Sequence, residues 1–496
     1  MTLFQHLPAL AVVIPLISAP VAALLKVPRL PWLAAVAAST VGFAVALQIA
    51  FAVVGGQMLS YEMGGWPAPF GITLRVDSLS ALMLLIVSGA SVVALAAGRE
   101  SLEADVEEGR APLFYAAWLL VVAGLSGIVV TGDAFNVFVF MEISSLGSYI
   151  LVASGRDRRA LRASYQYLVM GTIGATFYLI GIALLYMSTG SLDLVDLEVR
   201  LAQIDKFQPL LIASGFITVG LCLKAAVFPM HGWVPNAYSF APNVVTVFLA
   251  ACSAKVALYL LIRLDFSLFH DLLAGHDWML TSFLRPLAVL ALILASLSAI
   301  QERDLKRMLA YSSIAQVGYI LLGASFLDIN GVTGAVVHLF NHALAKGTAF
   351  LAVVALGLRL GVLDIDRMRG AARRMPLAFA AFVVAGLSLI GVPGTAGFVT
   401  KYFLILAALD AGGIGVLLLV AVLVSSLLAV IYIWRVVEVA LQPPLDDVIE
   451  PLGSGYRVAA LVALVGAAAN VWFGIAPSLP LELAAQAARD LLGPGL

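Results

Sequence analysis

The chain has 496 residues, 62% hydrophobic and 11% charged, with mean hydropathy +1.04 and net charge −1. Soluble domains carry roughly 25% charged residues, so this composition excludes an ordinary soluble enzyme and describes a polytopic membrane protein. The near-neutral charge gives no reason to expect nucleic acid. Two cysteines, Cys222 and Cys252, without a CxxC or a Cys/His pattern, indicate neither a disulfide framework nor a structural metal.

A span takes roughly 20 apolar residues, and fourteen candidate runs follow along the chain. The first six lie at 7–25, 31–54, 78–97, 112–130, 134–153 and 164–187. The next four lie at 208–238, 242–262, 284–300 and 305–326. The last four lie at 331–358, 376–408, 414–437 and 457–475. The first run lacks a basic lead and a clear cleavage site, so it reads as a span rather than a cleavable signal. Segment 58–77 alternates around Gly64-Gly65-Trp66-Pro67 and predicts a small hairpin. Segment 189–206 is amphipathic and predicts an interfacial helix. The other hydrophilic pieces, 98–110, 266–277 and 442–455, are too short for a soluble domain.

Two runs are long and interrupted. Span seven carries Phe228-Pro229-Met230-His231-Gly232 in its middle, and span twelve carries Gly391-Val392-Pro393-Gly394. Proline removes a helix hydrogen bond and clashes with the preceding turn, so both spans predict broken helices. Each break falls in the fourth member of a five-span unit, roughly 112–262 and 284–437. Five is odd, which inverts the second unit relative to the first, and matched breaks in inverted repeats point to a transport site. The expected fold is all-α: one membrane domain over 1–496, with about fourteen spans in which two pseudo-repeats are embedded.

Lys and Arg favour cytoplasmic loops. With the N-terminus outside, eighteen basic residues fall in inner loops, among them the cluster Arg156, Arg158, Arg159 and Arg162. Lys306 and Arg307 are counted there too, as interfacial anchors of span ten. Six fall outside: Arg75, Arg200, Lys206, Arg263, Arg285 and Arg489. The remaining four of the 28 are Lys224, Lys255, Lys346 and Lys401, all inside apolar runs. An even number of spans returns the C-terminus to the outside as well.

An ionisable side chain in hydrocarbon costs several kcal/mol unless it faces a bundle interior or a wet cavity, so such residues mark ion or proton pathways. Glu142 in span five and Lys224 in span seven read as a pair whose charges support one another. A glutamate merely bonded to Ser144 or Ser145 is the alternative. Lys255 lies near mid-depth in span eight. His338, His342 and Lys346 recur at i, i+4 and i+8, which puts them on one face of span eleven. Histidine is a natural proton shuttle; structural hydrogen bonding and haem or metal ligation are the competing readings. Lys401 follows the break of span twelve. His231, at the break of span seven, could admit protons or simply cap the broken helix. No P-loop, nucleophile elbow, HExxH or dinucleotide fingerprint is present.

Several motifs carry a resemblance over nearly the whole chain. They are Asp133-Ala134-Phe135-Asn136 through Glu142-Ile143-Ser144-Ser145, Lys224-Ala225-Ala226-Val227-Phe228-Pro229-Met230-His231-Gly232-Trp233 and Asp304-Leu305-Lys306-Arg307-Met308-Leu309-Ala310-Tyr311-Ser312-Ser313. To these are added His338-Leu339-Phe340-Asn341-His342-Ala343-Leu344-Ala345-Lys346 and Gly391-Val392-Pro393-Gly394. The chain resembles the antiporter-like subunits of respiratory complex I and membrane-bound hydrogenases, and more closely the D-type subunits of Mrp-type cation/proton antiporters. That resemblance implies fourteen core helices and a relay of Glu142 with Lys224, then Lys255, then His338 and His342, then Lys401. It implies other membrane subunits as partners and a place in a bacterial or archaeal cytoplasmic membrane, and with the motifs above absent no cofactor or metal is expected in this chain. It also sets the chain among the shorter paralogues, without the long lateral helix of the largest ones. A structural subunit whose buried charges only fix packing is the reading from a different class.

Overall fold

A computed structural model describes residues 3–204, 207–269, 279–361, 363–444 and 454–493. Lys206 and the hydrophilic stretches 270–278 and 445–453 lie outside the described residues. The bundle opens with α1 (Leu7–Leu24) and α2 (Leu30–Val54), each with proline in its first turn, where the missing N–H removes no helix bond. Strands β1 (Leu59–Glu62) and β2 (Thr73–Val76) pair antiparallel, giving the expected hairpin.

The helices that follow are α3 (Ser78–Ala97), α4 (Arg99–Asp105), α5 (Ala111–Val130), α6 (Ala134–Ala153), α7 (Arg158–Thr189) and α8 (Leu194–Leu201). Next come α9 (Phe207–Ala225), α10 (Val234–Phe240), α11 (Asn243–Leu264), α12 (Met279–Gln301), α13 (Leu305–Ala324) and α14 (Ile329–Leu360). The last are α15 (Pro376–Ile390), α16 (Ala396–Asp410), α17 (Gly412–Leu441), α18 (Ser454–Ile475) and α19 (Ser478–Leu492). Aspartate sets many of the starts. Asp77, Asp133, Asp157, Asp193, Asp304 and Asp328 each accept a backbone N–H at the head of the helix that follows, a cap worth about 1 kcal/mol.

Among the described residues, twelve helices are long and apolar enough to cross a membrane. Two of the fourteen expected spans fall short of that measure. One is α13, a helix of ordinary length that carries Lys306, Arg307 and Gln316; the other is the broken pair α15 and α16. Side chains such as Leu417, Val420, Leu423 and Leu427 on α17 face outwards, as a lipid-facing stripe should.

Both breaks are real. After α9, Ala226 takes a left-handed φ of 56°, and the chain turns through a cis Phe228–Pro229 bond before α10. The Leu223 carbonyl, left without its helical partner, accepts from the Trp233 indole at 3.0 Å. Trp233 also lies flat on Tyr167, with ring centroids 4.0 Å apart. The second break follows α15 at Gly391, whose φ is 86°. Helices α7 and α9 touch backbone to backbone: a Cβ on Gly174 would sit 2.8 Å from the Gly220 carbonyl oxygen, the close approach that small residues permit in membranes.

One local motif occurs twice. Ala134 N donates to Leu192 O and Leu194 N to Gly132 O; Leu305 N donates to Leu363 O and Ile365 N to Arg303 O. Each ties the aspartate-capped start of one helix, α6 or α13, to the segment just beyond α7 or α14. The long helix α14 is the hub, packed against α11, α13, α15, α16, α18 and α19.

Two expectations need correction. Lys306 is not an interfacial anchor; it is 4% exposed and donates to Ala241 O at 2.8 Å and to Asn243 Oδ1 at 3.1 Å. Among the described residues, the lysines held inside the bundle therefore number five, not four. The expected runs also end at the fourteenth, whereas α19 is a further amphipathic helix laid against α3 and α14.

Candidate functional site

Glu142 and Ser145 stand three residues apart on α6, on the face turned to the last turn of α9. Lys224 Nζ donates to Ser145 Oγ at 2.6 Å and lies 3.8 Å from Glu142 Oε1. The pair is therefore an ion pair, and the serine bonds the lysine rather than the glutamate. The side chains are 8% exposed for Lys224 and 29% for Glu142; the glutamate stands at the edge of the bundle, with the Oε1 that faces the lysine buried. Beside Lys224, a cavity of about 30 Å³ is lined by Ser144, Ser145, Ser148, Tyr167 and Ser253. A water needs roughly 10–15 Å³ of such space and several polar partners; both conditions are met.

Lys255 lies in the middle of α11, buried, and curls back to donate to Ala250 O of its own helix at 2.6 Å. It shares a cavity of about 10 Å³ with His342 and Ser313. His342 and His338 are stacked, with ring centroids 5.5 Å apart and planes 8° apart, as the i, i+4 spacing requires. His338 Nδ1 shares a hydrogen bond of 3.0 Å with Thr400 Oγ1, and Asn341 donates to the same oxygen at 3.1 Å. Both nitrogens of His342 and Nε2 of His338 are buried with no hydrogen-bond partner among the described residues.

Thr400 leads to its neighbour Lys401. The ammonium donates to Ile390 O, the carbonyl freed by the second break, and to Ser426 Oγ at 2.5 Å. It also sits 5.1 Å from the centre of the Tyr319 ring, which lies 5.8 Å from His338. Lys346 is fully buried and satisfied by Leu309 O at 2.7 Å and Ser312 Oγ at 2.9 Å. His231 stacks on Phe228 at 5.1 Å and meets the edge of Tyr311; its hydrogen-bond partners include none of the lysines.

The structure thus places Lys224, Lys255, His342, His338 and Lys401 inside the bundle, sets Glu142 beside Lys224 at its edge, and leaves His231 to one side. Among the described residues, no hydrogen bond joins Lys224 to Lys255 or Lys255 to His342. No group of three or more His, Cys, Asp or Glu is placed to hold a metal ion among them either. Two clusters escaped the sequence. Lys306, Asn243 and Asp105 form one, with Asn243 N donating to Asp105 Oδ2 at 3.2 Å. Burial raises the Asp105 carboxyl above its usual range, against the pull of the Asn243 bond and the nearby Lys306. Arg263 and Asp77 form the other, at 2.6 Å. The i, i+4, i+8 spacing of Lys255, Tyr259 and Arg263 could have signalled it.

Residues 131–429, well over half of the chain, match the family described as NADH:quinone oxidoreductase/Mrp antiporter, TM. The chain is 42% identical over 443 residues to the N subunit of NADH-quinone oxidoreductase of Desulforudis audaxviator, covering 87% of this chain and 86% of that one. It is 31% identical over 348 residues to the D-type subunit of the Na(+)/H(+) antiporter of Alkalihalophilus pseudofirmus, covering 70% and 69%. Among solved structures it superposes on a chain of the Mrp complex from Dietzia sp. DQ12-45-1b with TM-score 0.90 at 27% identity, covering 100% of this chain and 98% of that one. A chain of the membrane-bound sulfane sulfur reductase, an archaeal respiratory membrane complex, gives TM-score 0.90 at 31% identity, covering 98% of each. With both breaks and the buried lysines and histidines lying inside the matched region, the chain belongs to the NADH:quinone oxidoreductase/Mrp antiporter family of membrane proteins.

Proposed function

We propose that this chain is a proton-translocating membrane subunit of a multisubunit Na+(K+)/H+ antiporter. Protons pass along Glu142 and Lys224, Lys255, His342 and His338, and Lys401. The carrying observation is the set of titratable groups inside a membrane bundle: Lys224 against Glu142, Lys255 in one cavity with His342, and His342 stacked on His338. Lys346 and His231 stand beside them as supporting groups. The chemistry is proton exchange between bases of shifting affinity, and it requires no cofactor in this chain.

The solved relatives are multisubunit assemblies, which supports other membrane subunits as partners; the partly exposed flank at Glu142 gives one of them a surface. The duplicated aspartate-capped motif and the two breaks support a pair of inverted five-helix repeats within a single domain. The loop charges support a cytoplasmic-membrane location with both termini outside.

A second reading has a specific observation behind it. The 42% identity to a quinone oxidoreductase subunit favours a role as the proton-pumping module of a redox-driven complex, with the redox centres in other subunits. Purification of the intact complex, with its subunits identified by mass spectrometry, decides between them. Redox subunits in the assembly would overturn the antiporter reading. The relay is tested separately: if Lys224→Ala and Glu142→Ala each leave antiport in everted vesicles unchanged, the pathway is wrong.

A further inference from the structure

Lys255, Tyr259 and Arg263 recur at i, i+4 and i+8 along α11, the same spacing as the histidine stripe of α14, and so share one helical face. From Tyr259 towards the N-terminal face the polar contacts are continuous. Tyr259 OH donates to Val129 O at 2.8 Å and lies 3.1 Å from Ser80 Oγ, which itself donates to Val129 O at 3.0 Å. Arg263 Nη2 donates to Ser80 Oγ at 3.1 Å and to both oxygens of Asp77 at 2.6 and 2.7 Å. Its guanidinium lies 5.1 Å from the centre of the Tyr259 ring.

The ion pair ends at open space. Arg263 and Asp77 each keep 21% of their side-chain surface exposed, and Asp77 lines a cleft of about 590 Å³. The far wall of that cleft is α19, which brings Glu482, Gln486, Arg489 and Asp490 to it. From the other end, Lys255 stands four residues before Tyr259, a rise of about 6 Å along the helix, and its four-carbon arm must leave Ala250 O and swing towards Tyr259 to close the line.

We propose that Tyr259, Ser80 and the Arg263–Asp77 pair form a proton passage from Lys255 to the cleft on the N-terminal face, with Asp77 exchanging protons with solvent. Lys255 gives a proton to the Tyr259 oxygen as that hydroxyl passes its own to Ser80, whose proton goes to the Asp77 carboxylate. Each hydroxyl breaks one O–H bond as it forms another, so no net charge stays on either. Protonated Asp77 loosens its hold on Arg263, then discharges to the cleft and closes the pair again. The ion pair is thereby both the last station and the seal against water between transfers. The charged and titratable groups facing the passage are Lys255, Tyr259 and Arg263 from α11, His342 and Lys346 from α14 beside Lys255, Asp77 from the head of α3, and Glu482, Arg489 and Asp490 from α19.

The passage rests on the proposed proton transport, and the test separates the two. The complete complex is assayed in everted vesicles for transport per assembled complex, with Tyr259→Phe, Asp77→Asn and Asp77→Glu beside Lys224→Ala. Tyr259→Phe keeps the ring and loses one oxygen; a loss of at least tenfold is expected, as for Asp77→Asn, with recovery in Asp77→Glu. Wild-type transport in assembled Tyr259→Phe overturns the passage, and the function stands if Lys224→Ala is still inactive. Unchanged transport in both Tyr259→Phe and Lys224→Ala overturns the function itself. Should Asp77→Asn fail to assemble, Tyr259→Phe decides alone.

Discussion

Glu142→Gln isolates the charge of one carboxylate while keeping its volume. At the observed 3.8 Å separation, two unit charges attract by about 4 kcal/mol at an effective dielectric of about 20. Glu142 keeps 29% of its side chain exposed, and letting the effective dielectric range from about 20 to about 40 gives about 2–4 kcal/mol. Each 1.4 kcal/mol or so is a factor of ten, so the Lys224 ammonium loses one to three powers of ten of stabilisation. Its bond to Ser145 Oγ remains and holds the side chain in place, so assembly is retained. The expected result is a fall of at least tenfold in Na+-driven proton movement, read by fluorescence dequenching in everted vesicles from an antiport-deficient host expressing the whole complex. A cycle with Lys224→Gln adds a control: the double variant is no worse than the worse single one, because both remove the same interaction. A wild-type rate in assembled Glu142→Gln refutes the reasoning, and so does strict additivity in the cycle.

Other consequences follow from the same geometry. Gly391→Ala places a Cβ 2.4 Å from Lys401 Cδ at a φ of 86°. It is expected to cost about 1–2 kcal/mol in backbone strain and to pull Lys401 off Ile390 O, lowering transport more than the melting temperature of the purified complex. Thr400→Val removes the oxygen that binds both His338 and Asn341. A stability loss of about 1–3 kcal/mol is expected, visible as a lower thermal transition in detergent. Lys306→Met keeps the length of the side chain but leaves Ala241 O and Asn243 Oδ1 without their donor. Again about 1–3 kcal/mol is expected, measured by the yield of assembled complex and its melting temperature.

Much of this was legible because membranes make rules strict. Charges at Lys224, Lys255 and Lys401 stand out in apolar text, and proline and glycine in two long runs announce broken helices. The histidine stripe was readable from spacing, since a helix fixes which residues share a face. What stayed hidden depends on tertiary packing. Lys306 opens a helix just after a capping aspartate, where a cation usually reaches the interface; only the fold brings Ala241 and Asn243 over it. Glu142 reads as buried from its position in a span, but flank and core look alike in one chain when a helix is apolar all round. The carbonyl partners of Lys255 and Lys401 could not be read either, since any residue type can offer a backbone oxygen. The helix α19 was missed because its alternation of Leu, Ala and charge falls below the hydropathy that marks a span.

The central claim is that protons cross this subunit through the proposed relay, in which Lys255 is the one lysine between the two broken helices. The most direct measurement reconstitutes the purified complex into liposomes containing a pH-sensitive dye and compares wild type with Lys255→Met under an imposed sodium gradient. The account predicts sodium-dependent pH change in the wild type and none above the protein-free background in Lys255→Met, with equal complex incorporated. Equal rates in the two preparations would contradict it.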